Sequence, residues 1–262
     1  MNKPEISFIM PGIRKERWDA VYDSLAASTT KSFELVLVGP YSLTEKLQNL
    51  KNVKYVKDYG NPVRAQNIGT MFAEGNLLMW VSDDSIAFPG SIDKMIEILG
   101  PNPKDVVAAK YFEGPDNTYK PLQPDEYFKL NGSDCTSSKF IPDSWWIFNV
   151  ILMYREFWDE LGGLDVLYEA CPMAYADFAV RAQQAGAKVV MSKTSVFNGD
   201  HMPGITGDHA PIHYAQDEND MPLFQKTYRN AQPFLNPNTT RDMMDWKKIE
   251  SVWSRRFKLK KL

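Results

Sequence analysis

Apolar runs alternate with helical patterns over the first 110 residues of the chain. Five runs rich in β-branched and aromatic residues predict strands, at residues 5–12, 33–40, 52–60, 76–84 and 105–114. Three segments with apolar residues at helical spacing predict helices, at residues 17–29, 62–75 and 91–100. Nearly continuous apolar strands separated by helices predict an α/β fold, with a mostly parallel central sheet and helices on both faces.

The pattern changes after residue 112. Residues 113–144 are rich in Pro, Asp, Ser and Gly and show little periodicity, and a loop this long in a compact domain is usually functional or disordered. Beyond it, we predict a strand and a helix that ends at Gly162 and Gly163, a helix over 173–186 and a strand over 187–192. A second irregular segment follows and contains all three histidines.

These changes divide the chain into three parts. We expect residues 1–112 and 113–230 to form the two halves of one α/β domain. Residues 231–262 form a C-terminal helical tail with eight basic and three acidic residues, on a chain whose net charge is -3. A short basic tail is compatible with weak peripheral contact to a membrane or to nucleic acid, and also with simple solvation, which we favour.

Composition excludes several classes of protein. A chain of 262 residues, 44% of them hydrophobic, can bury one large core or two small ones. No apolar run approaches the roughly 20 residues that a membrane span requires, and the net charge gives no general attraction to nucleic acid. The N-terminus enters a strand-like pattern too soon for a signal peptide, so we expect an intracellular, cytoplasmic protein.

Two adjacent carboxylates, Asp83 and Asp84, follow the fourth predicted strand in the sequence LLMWVSDDS. Ligands of open α/β sheets bind at the carboxyl ends of the strands. Adjacent carboxylates are costly to hold together unless a cation or hydrogen-bond donors compensate the repulsion. A divalent cation would do so and keep positions open for phosphate oxygens. The alternative is an ordinary turn or helix cap.

The surroundings of this pair resemble a known family. The stretch PVRAQNIGTMFAEGNLLMWVSDDS is similar to the nucleotide-sugar half of the GT-A glycosyltransferases, especially the family 2 type, whose fold is Rossmann-like. The family's helix, strand and aspartate-rich motif occur in the same order. The matching positions are Asn67, Gly69, Ala73, Gly75, Asp83 and Asp84.

Two downstream segments extend the resemblance. The sequence REFWDELGGLD resembles the family's helix leading into Gly-Gly-Phe-Asp. The sequence AYADFAVRAQQAGAKVV resembles its Glu-Asp-x-x-x-x-x-Arg-x-x-x-x-Gly segment. The resemblance covers residues 4–230, and it implies that the first half binds the sugar donor and that the second half binds the acceptor and carries catalysis.

The resemblance implies roles for three aspartates. Asp84 would ligate Mn2+ or Mg2+ between the two phosphates of a nucleoside diphosphate sugar, where the metal stabilises the departing diphosphate. Asp83 would bind the ribose or a metal-bound water. Asp177 would be the catalytic base that takes the proton of an acceptor hydroxyl, and the product would be inverted. The alternative for Asp177 is a solvated helix residue.

Further donor-binding residues are implied near the first strand and the third predicted helix. Pro11, Gly12 and Arg14 match the family's entrance for the base of the nucleotide, although a simple proline turn is an alternative. Arg64 would contact the diphosphate as a cation, or lie on the surface of its helix. Asn67 belongs to the donor-side motif.

Three candidates lie in the second half of the chain. His201 stands about where many relatives keep a histidine, sometimes a metal ligand, after the last strand of the core. Trp145 and Trp146 would form a platform for the acceptor, because aromatic faces stack on sugar rings. The alternative is that they are core or rim aromatics.

Some positions depart from the family pattern. Ser82 and Ser85 flank the aspartate pair where many relatives have a third aspartate, and Ala176 replaces the glutamate before the proposed base. The second strand ends at Gly39 in VGPYS, without the acidic residue that commonly holds the base of the nucleotide. The identity of that base therefore stays open.

The leading hypothesis is a metal-dependent, inverting glycosyltransferase that moves a sugar from a nucleoside diphosphate to a hydroxyl acceptor. One rival is a nucleotidyltransferase, although MPGIRKER is only a weak version of the expected Gly-rich basic loop. A second rival is a module of the same fold that binds nucleotide sugar or glycan without turnover.

Overall fold

The computed structural model describes residues 3–113, 150–199 and 214–229. Its strands are β1 (Ile6–Pro11), β2 (Phe33–Gly39), β3 (Val53–Lys57), β4 (Leu77–Trp80), β5 (Ser85–Ala87), β6 (Asp105–Glu113), β7 (Ile151–Tyr154) and β8 (Lys188–Gly199). Its helices are α1 (Trp18–Ser28), α2 (Glu45–Gln48), α3 (Pro62–Phe72), α4 (Ser91–Ile98), α5 (Arg155–Leu161), α6 (Cys171–Gln184) and α7 (Met221–Arg229). A π-helical turn (Gln216–Asp220) precedes α7.

The eight strands form one sheet in the order β3-β2-β1-β4-β7-β6-β8-β5. Strand β1 pairs in parallel with β2 and β4, and β2 pairs in parallel with β3. Strand β7 is antiparallel to both of its neighbours, whereas β6 and β8 are parallel. The strand order reverses between β1 and β4, because the chain first moves outward to β3 and then returns to the other side of β1. Ligands of open α/β sheets bind at such a switch point.

Alternate residues of β1 face two separate apolar layers. Ile6 and Phe8 pack in one layer with Trp18 of α1 and residues of α4. Ile9 packs in the opposite layer, which α3, α5 and α6 cover, for example with Phe178. This is why β1 is apolar apart from Ser7, whose hydroxyl donates to the Glu34 carboxylate. The sheet is covered on both faces as predicted.

The predicted strands and helices are confirmed, with differences at their ends. Helix α4 begins at Ser91 and its N-cap is Gly90 with a φ of 69°, a left-handed conformation that suits glycine. The helix predicted over residues 62–75 ends earlier, since the C-cap of α3 is Ala73. A Cβ on Gly75 would lie 2.6 Å from the hydroxyl oxygen of Ser7, so Gly75 permits close contact with β1.

An aromatic cluster fixes α6 against β4. The ring of Trp80, the last residue of β4, stacks on Tyr175 of α6 with 4.9 Å between ring centroids and 11° between planes. The rings of Trp158 and Phe178 lie in edge-to-face arrangements with the same indole, each with 5.5 Å between ring centroids. Stacked and edge-to-face aromatic pairs add stabilisation beyond their buried area. The position of α6 therefore depends on the end of β4.

The predicted basic tail, residues 231–262, lies outside the described residues, so its contact with a membrane or nucleic acid stays a prediction. Within the part of the chain that the structure describes, no helix has the length and apolar character needed to cross a bilayer.

The π-helical turn before α7 binds the backbone at the start of α6. The buried carboxylate of Asp220 accepts hydrogen bonds from the amides of Glu169 and Ala170, at 2.9 and 2.7 Å. The amide group of Asn219 donates to the carbonyl oxygen of Leu167 at 2.9 Å. Ala170 is the N-cap of α6 and has no capping side chain, so Asp220 supplies the cap from a distant part of the chain.

Burial raises the pKa of Asp220 to about 6, although its backbone donors favour the ionised form. The folded protein therefore holds this proton more tightly than the unfolded chain. We expect the free energy of unfolding to fall by up to about 3 kcal/mol as the pH rises from about 4 to about 6. Asp220→Asn should remove this part of the pH dependence, measured by urea denaturation across that range.

Asp217→Asn is the matched control, because Asp217 lies exposed on the same turn. It should keep the wild-type dependence on pH. If Asp220→Asn followed the wild-type profile as well, the role assigned to the buried Asp220 carboxyl would be contradicted.

Candidate active site

The turn at Asp83 and Asp84 connects β4 to β5 at the carboxyl edge of the sheet, beside the switch point. Pairing between β1 and β4 continues to this edge, because the amide of Val81 donates to the carbonyl oxygen of Ile9 at 2.9 Å. The loop after β1 therefore lies next to the turn after β4. Both aspartates are buried there, with 2% and 4% of their surface exposed.

Asp83 is anchored by the loop after β1. One carboxylate oxygen accepts the amide hydrogens of Ile13 and Arg14, each at 2.7 Å. The other oxygen accepts a hydrogen bond from the Arg14 guanidinium. Burial has the largest influence on the pKa of Asp83 and raises it, and the Arg14 charge opposes that effect. Asp83 is thus a fixed part of the site.

Asp84 lies farther than Asp83 from the guanidinium of the same arginine. Its carboxylate accepts a hydrogen bond from the Ser82 hydroxyl and lies 3.4 Å from the Arg14 guanidinium. Ser82 was singled out from the sequence because many relatives carry a third aspartate near the pair. In this chain the serine is a hydrogen-bond donor, which adds no negative charge and stabilises the charge of Asp84.

The two carboxylates lie beside one guanidinium, and the same Arg14 nitrogen contacts both of them. Oxygen donors of this kind suit Mg2+ or Mn2+, which often take one or two carboxylates together with phosphate oxygens and water. Arg14 already places a positive charge between the pair. Among the described residues, no group of three or more His, Cys, Asp or Glu could hold a metal ion. The pair fits a cation that a bound phosphate helps to hold.

Gly12 and Gly39 bring the ends of β1 and β2 into close contact. The amide of Gly12, which follows Pro11 at the end of β1, donates to the carbonyl oxygen of Val38 at 2.9 Å. A Cβ on Gly39 would lie 2.0 Å from the carbonyl oxygen of Gly12. A Cβ on Gly12 would lie 3.0 Å from the indole of Trp18. No side chain fits at Gly39, which explains the missing acidic residue there.

An acidic residue that sequence reasoning missed lies one strand further along the edge. Asp58 follows β3, is largely buried, and its amide donates to the carbonyl oxygen of Gly39 at 3.1 Å. Its carboxylate binds the Arg64 guanidinium through contacts of 2.6 and 3.0 Å. Arg64 is thus held at the carboxyl edge of the sheet and does not project from the helix surface. Asp58 could have been predicted as a site residue because it directly follows a parallel strand.

Asn67, predicted on the donor side, has a structural contact. It is fully buried on α3. Its amide nitrogen donates to the carbonyl oxygen of Leu164 at 2.9 Å, and its amide oxygen accepts the backbone N–H of the same residue at 3.0 Å. The side chain therefore holds the GGLD segment against α3, in the manner of a strand pairing.

Asp177, the predicted catalytic base, forms an internal ion pair in the structure. It is completely buried on α6, and its carboxylate accepts a hydrogen bond from Arg181, one helical turn away, at 2.9 Å. The same guanidinium donates to the carbonyl oxygens of Leu161 and Gly163, at 2.8 and 2.7 Å. Arg181 thereby ties the end of α5 to α6, and Asp177 neutralises its charge. These contacts favour a structural role for Asp177 over its predicted role as catalytic base.

The register of the family motif also favours a structural role for Asp177. Counted back from Arg181, the Glu-Asp positions of the family segment fall on Ala174 and Tyr175, and not on Ala176 and Asp177. The Tyr175 hydroxyl accepts a hydrogen bond from Gln66, and burial raises the pKa of that hydroxyl well above its ordinary value. Tyr175 stays neutral near pH 7, so α6 offers no ionised group at the aspartate position.

Three candidates of the second half, Trp145, Trp146 and His201, lie outside the described residues. Their roles as acceptor platform and metal ligand stay predictions. The structure does bring together the donor-side candidates Arg14, Asp83 and Asp84 at the carboxyl edge of the sheet.

Comparisons with known proteins support the family resemblance and the fold. The sequence profile of the family described as glycosyl transferase family 2 matches residues 14–161. The structure is similar to the crystal structure of S. aureus TarS 1-349, with a TM-score of 0.56 and 15% sequence identity. The alignment covers 96% of this chain and 77% of that one. No curated protein matches the sequence.

The buried ion pair predicts a stability effect for Asp177. Asp177→Asn and Arg181→Met should each lower the free energy of unfolding by about 3–5 kcal/mol, because each leaves a buried group without its partner. The double variant should lose less than the sum of the two single losses, since the same interaction is removed twice. Urea denaturation of the three variants measures these values.

Asp159→Asn on α5 is the control, because Asp159 forms an exposed ion pair with Arg155 at the same helical spacing. It should change the free energy of unfolding by at most about 1 kcal/mol. Unchanged stability in Asp177→Asn, together with loss of donor turnover, would contradict the structural role and restore the catalytic one.

Proposed function

The chain belongs to glycosyl transferase family 2, and we propose that it transfers a sugar from a nucleoside diphosphate sugar to a hydroxyl group of an acceptor. The family and the α/β GT-A fold support glycosyl transfer in general. We propose further that the transfer depends on Mn2+ or Mg2+ and inverts the anomeric centre.

One observation carries the donor proposal. The buried pair Asp83 and Asp84 places two adjacent carboxylates at the switch point of the sheet, both in contact with Arg14. A diphosphate alone would be repelled from such a place, whereas a diphosphate with a divalent cation would be attracted. The chemistry of the pair therefore favours a metal-bound nucleotide over a free anion.

The donor-side residues then have distinct roles in the proposal. Asp84 would hold the cation, since its link to Arg14 is the longer one, and Asp83 would orient the ribose or a bound water from its fixed position. The cation would supply charge stabilisation for the departing diphosphate. Arg14 would contact phosphate oxygens as a cation. The Arg64 guanidinium is bound to Asp58 after β3, so the diphosphate contact of Arg64 stays a prediction.

The base of the nucleotide would lie toward the ends of β2 and β3. Neighbouring strands are about 4.8 Å apart, so the end of β3 lies about 14 Å from the end of β4. A nucleoside diphosphate is long enough to extend across that edge. Asp58 is the buried carboxylate at its far end, beside Gly39, and would accept hydrogen bonds from the base.

The acceptor step needs a proton acceptor other than Asp177. In an inverting displacement, the acceptor oxygen attacks the anomeric carbon as the bond to the diphosphate breaks, and the hydroxyl proton passes to a base. Asp177 is already ion-paired with Arg181, and the Tyr175 hydroxyl is neutral, so neither favours the role of proton acceptor. We propose that the base comes from a segment outside α6.

The family assignment favours glycosyl transfer over the nucleotidyl transfer that the sequence also allowed. A donor-binding module without turnover is favoured by one observation, the replacement of the Glu-Asp positions by Ala174 and Tyr175. Release of nucleoside diphosphate from the donor separates turnover from binding alone.

Thermal denaturation with UDP-, GDP-, dTDP- and CDP-sugars, each with and without Mn2+, tests the donor and the metal together. One class of donor should raise the midpoint of unfolding only with Mn2+, because a ligand of the folded state stabilises it by about 2.7 kcal/mol at 100 times its Kd. Asp84→Asn should abolish the Mn2+-dependent part.

Asp23→Asn removes the same charge from an exposed position on α1 and should respond like the wild type. The absence of a shift with every donor would contradict the donor assignment, and equal shifts with and without Mn2+ would contradict metal dependence. Release of diphosphate that disappears in Asp84→Asn would support turnover.

A further inference from the structure

We propose that Arg14 occupies the place of the divalent cation in the free protein and leaves Asp84 when the metal and the nucleotide diphosphate bind together. Arg14 would thus make the binding of cation and nucleotide cooperative and prevent the site from taking up the metal alone. The inference rests on the proposed donor function, and it concerns the order of binding at the site.

The position of the guanidinium carries the proposal. A single nitrogen of Arg14, Nη1, contacts Asp83 and also lies 3.4 Å from an oxygen of Asp84. It therefore bridges the two carboxylates, which is the position that a cation ligated by the pair would take. The Arg14 side chain is only 15% exposed, so solvent screens this contact weakly.

Two cations cannot share this place without a third anion. A divalent ion next to Asp84 would be repelled by the guanidinium, which carries a fixed charge at every physiological pH. Metal binding to the free protein must therefore displace Arg14 from Asp84, and the lost ion pair opposes it. Affinity for the metal alone is low for this reason.

The nucleotide changes this balance. Its diphosphate offers oxygens that a guanidinium binds strongly and often through two parallel hydrogen bonds. Arg14 can then exchange Asp84 for phosphate while the metal takes Asp84, so every charge keeps an opposite partner. Cation and nucleotide each remove an obstacle to the binding of the other, which is positive coupling between two ligands.

The backbone makes this exchange local. Asp83 keeps two amide donors, Ile13 and Arg14 itself, at 2.7 Å, whichever way the guanidinium turns. Only the tip of the Arg14 side chain has to move. The loop after β1 and the turn after β4 can therefore remain joined in both states.

Titration of metal-free protein with Mn2+ alone, followed by the electron paramagnetic resonance signal of free Mn2+, tests the proposal without any turnover. At about pH 8, where carboxyl protonation competes least, Arg14→Met should bind Mn2+ at least about tenfold more tightly than the wild type. Adding UDP or GDP should tighten Mn2+ binding strongly in the wild type and much less in Arg14→Met.

Two further variants complete the test. Lys15→Met removes a neighbouring positive charge of the same loop and should leave Mn2+ affinity at the wild-type value. Arg14→Lys keeps a charge for Asp83 if Arg14→Met fails to fold, as judged by circular dichroism. Because its ammonium lacks the guanidinium fork, it should bind Mn2+ alone about threefold more tightly than the wild type.

The outcomes separate the two proposals. Equal affinity of the wild type and the folded Arg14 variants for Mn2+ alone would overturn the role of Arg14 and leave the metal-dependent donor site intact. Failure of every protein to bind Mn2+, even with UDP or GDP, would instead contradict metal dependence itself and the Arg14 inference with it.

Discussion

The repulsion between two adjacent buried carboxylates is the constraint on which this site depends. Two adjacent carboxylates can be buried together only if positive charge and N–H donors lie beside them, and the loop after β1 supplies both through Ile13 and Arg14. Parallel pairing of β1 with β4 brings that loop to the aspartates. The sheet order is therefore a condition for the charge balance of the site, and a shift of β4 would separate the carboxylates from their donors.

The charged side chains in the two halves of the domain have different surroundings. On the donor side, two adjacent carboxylates contact one guanidinium, which we propose that a cation replaces at Asp84. On α6, Asp177 and Arg181 neutralise each other, and Arg181 also binds the carbonyl oxygens that end α5. Tyr175 is held by Gln66 and by the ring of Trp80. These contacts hold α6 in place, so the position of β4 determines where α6 lies in the second half of the domain.

Local patterns predicted most of the fold, because burial on both faces dictates apolar strands and one apolar face dictates helical spacing. The place of Asp83 and Asp84 followed from the same patterns. The contact of Asp58 with the end of β2 depends on strand order, which periodicity does not encode. The predicted role of Asp177 rested on motif likeness, whereas its spacing from Arg181 is that of a helical ion pair. Gly39 shows why a family residue can be absent: a neighbouring carbonyl oxygen fills its place.

The central claim is that Asp84 holds a divalent cation which a nucleotide diphosphate shares. A crystal structure of the protein with Mn2+ and the nucleoside diphosphate that stabilises it most tests this claim directly, because anomalous scattering identifies the metal. The account predicts Mn2+ bound to the Asp84 carboxylate and to phosphate oxygens, with Asp83 still on the amides of Ile13 and Arg14. A nucleotide bound without metal at Asp84, or a metal held elsewhere, would contradict it.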